Sequence, residues 1–326
     1  MRNLSNKNNQ LHRANLSRLL CASAAFVLIQ ASNANAAGGI DLNNVAAGNI
    51  TVSKPDATHT NVTASDRSIG NFNSFDVATD HHANVIQPSS NASTLLRVVS
   101  GKPSEILGSL QANGKVMLVN PNGVFFGQNS KVDVAGMIAS TADTSDADFL
   151  AGKTNLSIAG KPDAKIVNKG SITAAQGGLV ALVAPSVRND GVIEANLGTV
   201  ALASAETASV DFYGDNLYSF ALDKETSSAA AGVENNGIIS AGGGKVLLTA
   251  KVAKNVVDNV INNTGIIEAS SAHMDGGAIV LDGGNGNVKL SGTLNASGTT
   301  GGNVTVTGEN IALASANIDA SGKNGG

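Results

Sequence analysis

The feature that most constrains this chain is a nine-residue rhyme that begins near residue 166. Ile166-x-Asn168-x-Gly170-x-Ile172-x-Ala174 recurs as Val187-x-Asn189-x-Gly191-x-Ile193-x-Ala195. It returns as Val233-x-Asn235-x-Gly237-x-Ile239-x-Ala241 and as Ile261-x-Asn263-x-Gly265-x-Ile267-x-Ala269, and a weaker copy at Val288, Gly292, Leu294 and Ala296 lacks the Asn. A second apolar pair follows most copies: Val180/Leu182, Val200/Leu202, Val246/Leu248, Ile279/Leu281 and Val304/Val306. Alternation with period two puts these side chains on one face of a strand. Gly and Asn between strands supply left-handed or tight turns that other residues resist. The repeated glycines are spaced 21, 46, 28 and 27 residues apart. The long gap is two units, or one unit with an excursion. Units of this length, with two or three short strands and no helical pattern, predict a β-helix in which each coil pairs with the coils above and below. The recurring Asn has two readings of equal standing, an amide ladder inside a turn and simple tolerance of the left-handed region.

Composition agrees with such a solenoid. Hydrophobic residues make up 42% of the chain and charged residues 14%, against about 25% charged in average globular chains, a balance that excludes a disordered polymer. There is no Trp, while Gly numbers 37 of 326 residues, so the core is read as small aliphatic side chains stacked on frequent turns.

The N-terminus reads as a secretory leader. Arg2, Lys7, Arg13 and Arg18 form a basic region without acid, Leu19 to Ile29 form an apolar stretch, and Ala34-Asn35-Ala36 is a small-x-small cleavage site, with cleavage expected between Ala36 and Ala37. The apolar run is too short for a permanent span. The single cysteine, Cys21, lies inside the leader, so the mature chain has neither disulfide nor cysteine-based zinc site. Cleavage removes four of 21 basic residues and none of 25 acidic ones, leaving a balance near −8 that argues against nucleic acid as a partner. The expected organisation is therefore a leader over 1–36, an N-terminal cap and secretion segment over 37–165, and β-helix coils over 166–326.

Residues 66 to 141 carry the most specific signal. They run from Asp66-Arg-Ser-Ile-Gly-Asn-Phe-Asn-Ser-Phe75 through Gln87-Pro88-Ser89-Ser90 to Arg97-Val-Val-Ser-Gly-Lys-Pro-Ser-Glu-Ile-Leu-Gly-Ser-Leu110 and Asn113-Gly114. Val119-Asn120-Pro121-Asn122-Gly123-Val124-Phe125-Phe126-Gly127 and Ile138-Ala-Ser-Thr141 close the segment. An Asn-Pro-Asn-Gly tetrapeptide alone is a turn signal. In this setting the series closely resembles the N-terminal secretion domain of filamentous haemagglutinin and its relatives, the exported partners of two-partner secretion systems. The resemblance runs from about residue 38 past residue 270. It implies a right-handed parallel β-helix with an N-terminal β cap and extra-helical hairpins. It also implies recognition by a cognate outer-membrane β-barrel transporter with periplasmic recognition domains, and export to the medium or cell surface through the periplasm and outer membrane. Asn120, Pro121, Asn122 and Gly123 occupy the family's signature motif, as direct recognition elements or as a lock that folds the cap. Two departures stand out: Phe72 sits where members often carry Trp, and Gln87-Pro88-Ser89-Ser90 replaces a second Asn-Pro motif of haemolysin-type members, pointing to the adhesin branch.

Other chemistry is sparse. His81-His82 beside Asp80 reads as a solvated loop rather than a metal site. The remaining histidines, His12, His59 and His273, complete no Ser/His/Asp set, and no catalytic residue, metal or cofactor is expected. The aromatic stretch Asp211 to Phe220 reads as a hairpin turning on Gly214-Asp215 in preference to a binding platform. A β-helical polysaccharide-active enzyme and the stem of a contact-dependent toxin remain rivals to the adhesin reading. The chain stops at Ser321-Gly-Lys-Asn-Gly-Gly326, right after a strand signal and without a polar cap. A fragment of a longer protein or a truncated partner is expected to end this way, with the host-cell or surface receptor met by a downstream region.

Overall fold

The computed structural model describes residues 39–210, 220–271 and 276–323. The expected leader with its Ala36–Ala37 junction, the turn expected at Gly214–Asp215 with Phe212, Tyr213 and Tyr218, and His273 lie outside the described residues.

The rhyme forms a parallel β-helix in the register that the sequence spells. Lys165–Asn168 pairs in parallel with Ser186–Asn189, which pairs with Gly232–Asn235, and that in turn with Ile261–Asn263. Around the corner, Ile172, Ile193, Ile239, Ile267 and Leu294 stack in one column. The second apolar pair of each copy stacks as Leu182, Leu202, Leu248, Leu281 and Val306 on a third strand. These columns point inward and fill the main core with side chains that are almost wholly buried, except for the partly buried Val306 at the far end.

The 46-residue spacing is a single coil with an excursion, because Asn189 pairs directly with Asn235. The excursion leaves the helix through Thr207–Val210 and returns through Phe220–Lys224, two antiparallel strands joined on their other side by Thr154–Leu156.

Glycine at the corner serves a purpose different from the one expected. A Cβ on Gly191 would sit 2.1 Å from the carbonyl oxygen of Gly170, and one on Gly237 would sit 2.1 Å from that of Gly191. Neither residue is in the left-handed region. The repeat keeps glycine because successive corners stack too closely for any side chain, rather than for its freedom at positive φ.

Toward the N-terminus the same coils continue with less regular sequence. Ser109–Val119 and Lys131–Ser140 are long strands that run through the corner and pair in parallel. Parallel register starts at His59 opposite His82. Two antiparallel strands close that end, Ile40–Ala47 on Ser68–Phe75 and Ile50–Ser53 on His59–Ala64. Phe72, at the departure from the usual Trp, is fully buried and meets Phe75 edge to face at 5.4 Å.

A second apolar layer lies outside the helix. Leu95, Met117, Ile138, Ala181, Ala201 and Leu247 stack on the outward side of one strand column. They are buried all the same, under Phe149, Leu156, Ala208 and Val210. Phe149 comes from a short helix, Asp146–Leu150, that the pattern had not announced; Ser145 caps it by accepting a hydrogen bond from the Asp148 amide at 3.1 Å. The column shrinks to Ala181 and Ala201 over two successive rungs, which leaves room for the layer to approach.

Candidate secretion-motif site

The Asn-Pro-Asn-Gly turn is built from the inside. Its first residue, Asn120, ends a strand column and is fully buried. Its backbone amide donates to the Ser140 carbonyl at 3.0 Å, and the Gly123 amide donates to the Asn120 carbonyl at 3.0 Å, closing a four-residue turn. The Asn120 side chain then ties three segments together. Its Nδ2 donates to the Lys102 carbonyl and to Ser104 Oγ, both at 3.0 Å. Its Oδ1 accepts from the Asn122 amide at 2.9 Å and from Asn122 Nδ2 at 3.0 Å. Asn122 Nδ2 also donates to the Ser100 carbonyl at 2.6 Å. An Asn at this place uses both halves of its amide, so Asp or Leu would each leave buried partners unmatched.

The other two residues fix the turn from below. Pro121 sets φ for the turn, and its carbonyl accepts from the Lys161 amide at 3.0 Å. Gly123 has φ of +118°, and a Cβ there would meet the Lys165 carbonyl at 2.7 Å. Here glycine is needed for conformation and for space together. All four motif residues therefore converge on one turn, and the loop around Ser100 to Ser104 and the segment Lys161 to Lys165 are positioned by it.

Two neighbouring nodes were not visible in the sequence. Gln87, buried, donates from Nε2 to the carbonyls of Ala92 at 3.2 Å and Lys115 at 2.9 Å, and accepts on Oε1 from the Gly114 amide at 3.1 Å. Asn113 and Gln87 exchange amide and backbone bonds at 2.7 and 2.8 Å, so the Gln87-Pro88 and Asn113-Gly114 signals belong to one structural lock. Arg97 reaches Asp143 at 2.7 Å and Asp146 at 2.9 Å, and donates to the Thr144 carbonyl at 2.9 Å. Burial pushes the Asp143 carboxyl above its usual range, and the Arg97 guanidinium only partly offsets this. The only local sign of these nodes was a polar residue amid strand-forming neighbours.

The repeated Asn of the coils resolves as a ladder. Asn168, Asn189, Asn235 and Asn263 are fully buried, and Nδ2 of each donates to Oδ1 of the next at 2.8, 2.8 and 2.7 Å. None of the four has positive φ, so tolerance of the left-handed region is not their reason. Phe126 precedes the ladder and Leu290 follows it in the same column.

The histidines expected in a solvated loop part company. His81 is half-buried, with its Nδ1 3.0 Å from the Thr79 carbonyl oxygen, while His82 opens a strand and stacks on His59 at 4.7 Å. Among the described residues no three His, Cys, Asp or Glu side chains converge as metal ligands.

Comparison with known proteins gives one consistent answer. The TPS (two-partner secretion) secretion domain matches residues 39–306. A heme/hemopexin-binding protein of Haemophilus influenzae strain Rd is 32% identical over 216 residues, which is 64% of this chain and 23% of the relative. A second heme/hemopexin-binding protein of Haemophilus influenzae is 29% identical over 268 residues, 77% of this chain and 29% of that protein. The solved HMW1 secretion domain of the same species superposes with a TM-score of 0.77 at 28% identity, covering 87% of this chain and 74% of that one. The chain thus spans less than a third of the curated relatives it matches. The family is one of secretion domains rather than catalysts, and its members are exported across the outer membrane by a cognate transporter. With its capped parallel coils and its Asn120–Gly123 turn, the chain belongs to the TPS secretion domain family, the exported partner of a two-partner secretion system.

Proposed function

We propose that Asn120, Pro121, Asn122 and Gly123 serve export indirectly: they fold the surface that the transporter reads, and are not themselves the letters read. One observation carries this reading. Asn120 is fully buried, with its amide spent on the Lys102 and Ser104 segment and on Asn122. A partner in the periplasm cannot touch such a side chain without opening the fold. Secretion of Asn120→Ala and of the Asn120→Ala/Asn122→Ala double variant, measured with and without the transporter, tests this. Transporter-dependent release that falls with either variant is expected whether the motif is read directly or folds the cap; a fall that tracks a lowered melting temperature supports the indirect reading, and an unchanged secreted yield sinks both.

The remaining assignments rest on the same footing. The leader is cleaved between Ala36 and Ala37, which N-terminal sequencing of the released chain would check. Residues 37–165 act as the cap and secretion segment, and 166–326 as coils that grow from it. The released product resides in the medium or on the cell surface, where a downstream region meets a host-cell or surface receptor as an adhesin does. The region itself is non-enzymatic; release of reducing sugar from a polysaccharide would overturn that. A second reading of the whole protein, capture of haem or of a haem carrier, is favoured by its similarity to the two heme/hemopexin-binding proteins.

A further inference from the structure

The cap end of the helix carries a pair of histidines that the secretion reading does not use. His59 and His82 lie directly opposite each other on parallel strands, so both side chains leave the same face. The register is pinned beside them, because the His82 amide donates to the Thr58 carbonyl at 2.8 Å. Their rings stack at 4.7 Å with 13° between the planes. Both are open to solvent: the His59 side chain keeps 40% of its exposure, and His82 is exposed.

A carboxylate orients one of the rings. Asp56 Oδ1 lies 2.9 Å from His59 Nδ1, and the same oxygen accepts from the Thr58 amide at 2.8 Å, the Thr58 hydroxyl at 2.9 Å and the His59 amide at 2.9 Å. The hydrogen bond from the His59 side chain, backed by those from Thr58, holds the Asp56 carboxyl well below the usual carboxylate range. An ionised carboxylate only accepts, so the proton between the two groups sits on Nδ1, and a neutral His59 ring presents the lone pair of Nε2. Metal-binding histidines are commonly oriented by such an outer carboxylate. Ring stacking alone explains the contact between the two histidines but asks for no acceptor on Nδ1.

We propose that His59 and His82 form a two-imidazole site for a divalent transition ion of the class that imidazole favours, Cu2+, Ni2+ or Zn2+, with Asp56 as the group that orients His59. Turning the rings about their Cβ–Cγ bonds brings the two Nε2 atoms to one ion at about 2.0–2.1 Å, and water completes its shell. Among the described residues no third His, Cys, Asp or Glu ligand converges there, so the affinity is modest and peaks at Cu2+ in the divalent series. A hard ion such as Mg2+ prefers oxygen ligands and is not held. The bound ion ties His59–Ala64 to His82–Ile86, the strand pair at which parallel register begins.

The experiment titrates the chain recovered from the medium with Cu2+, Zn2+ and Mg2+. It reads affinity by calorimetry, the melting temperature and, for Cu2+, the electron paramagnetic resonance spectrum. Wild type is set beside His59→Ala, His82→Gln, Asp56→Asn and, as a control, His81→Ala, whose Nδ1 is already 3.0 Å from the Thr79 carbonyl oxygen. The proposal expects wild type to show imidazole nitrogen coupling and a higher melting temperature with Cu2+, a smaller rise with Zn2+ and none with Mg2+. Asp56→Asn should weaken Cu2+ about tenfold, loss of either histidine should weaken it further, and His81→Ala should match wild type. Without metal the variants are expected to melt with wild type, since the rings are exposed; if His59→Ala melts lower, His82→Gln decides alone. Affinity unchanged in His59→Ala and His82→Gln, or lost equally in His81→Ala, would overturn the site and mark the binding as an adventitious ion only. Absence of imidazole coupling and of any thermal shift with Cu2+ on wild type would overturn it too. Neither failure touches the motif's role in export, because the histidine pair and the Asn120 turn share no residue.

Discussion

The N-terminal third and the repeat coils share one backbone architecture and hold it by opposite means. In the coils a single device recurs: an inward Ile or Val, a buried Asn, and a glycine corner, with each amide handed to the next rung. In the N-terminal third every lock is used once. Asn120 ties Lys102, Ser104 and Asn122, Gln87 ties Ala92, Gly114 and Lys115, and Arg97 ties Asp143, Thr144 and Asp146. The outer face differs in the same sense. Leu95, Met117 and Ile138 are buried under the extra-helical layer, whereas Thr305 at the far end of the same column is exposed. A repeated device tolerates loss because its neighbours keep their own bonds. A unique node has no substitute, which fits the indirect role in export proposed for the Asn120 turn.

Removing Phe149, the buried anchor of the layer, should break the contrast most severely. Phe149→Ala leaves a cavity in the outer apolar layer and is expected to destabilise by about 4 kcal/mol, with hydrogen exchange rising in the N-terminal third and unchanged in 261–295. Asn120→Ala comes next. It strands the Lys102 carbonyl and the Asn122 amide, and is expected to lower stability by about 3 kcal/mol in denaturant titration. Asn189→Ala interrupts the ladder between Asn168 and Asn235 at about 2 kcal/mol, leaving the remaining Asn235–Asn263 bond intact. Asn263→Leu should cost least, about 1 kcal/mol or below, because it moves the end of the ladder by one rung and continues the column that Leu290 already occupies. Comparable losses for Asn189→Ala and Asn120→Ala in both stability and secretion would erase the distinction drawn between the two regions.

Acid should sharpen the contrast further. The Asp143 carboxyl is raised by burial, so folding favours its protonated form. A raised acid contributes stability that is present below its unfolded value and is lost as pH rises through the folded one. Lowering pH into the carboxylate range is therefore expected to relieve strain at the Arg97 node specifically. Asp143→Asn should remove that pH-dependent contribution, seen as a flatter stability profile on the acid side.

How much of this was legible in the sequence follows from the same contrast. The rhyme announced the coils and their register because repetition shows which residues share a column, while the 46-residue gap stayed open between two units and one unit with an excursion until Asn189 was seen to pair with Asn235. The ladder was left open and the reason for the corner glycine was read wrongly, as backbone freedom, since both depend on how closely coils stack. The second layer did leave a signal that period-two reading passes over. Leu179-Val-Ala-Leu-Val-Ala184 is apolar without alternation and buried on both faces, whereas Asn303-Val-Thr-Val-Thr307 alternates and has one face bare. The one-off nodes were illegible for a plainer reason. Gln87 meets Asn113, Gly114 and Lys115 26 to 28 residues away, Arg97 meets Thr144 47 residues away, and nothing periodic marks these partners. The Asn-Pro-Asn-Gly motif was found by resemblance, but the full burial of Asn120 came only from the fold.

The most direct test sets Asn120→Ala beside Asn189→Ala in one secretion assay, with the cognate transporter present and absent, and with melting temperatures recorded for both. The account predicts that both variants melt lower than wild type, that Asn189→Ala still reaches the medium in a transporter-dependent way, and that Asn120→Ala does not. Equal secreted yields from the two would contradict it, because the N-terminal turn would then be one more replaceable fastening of a repetitive coil.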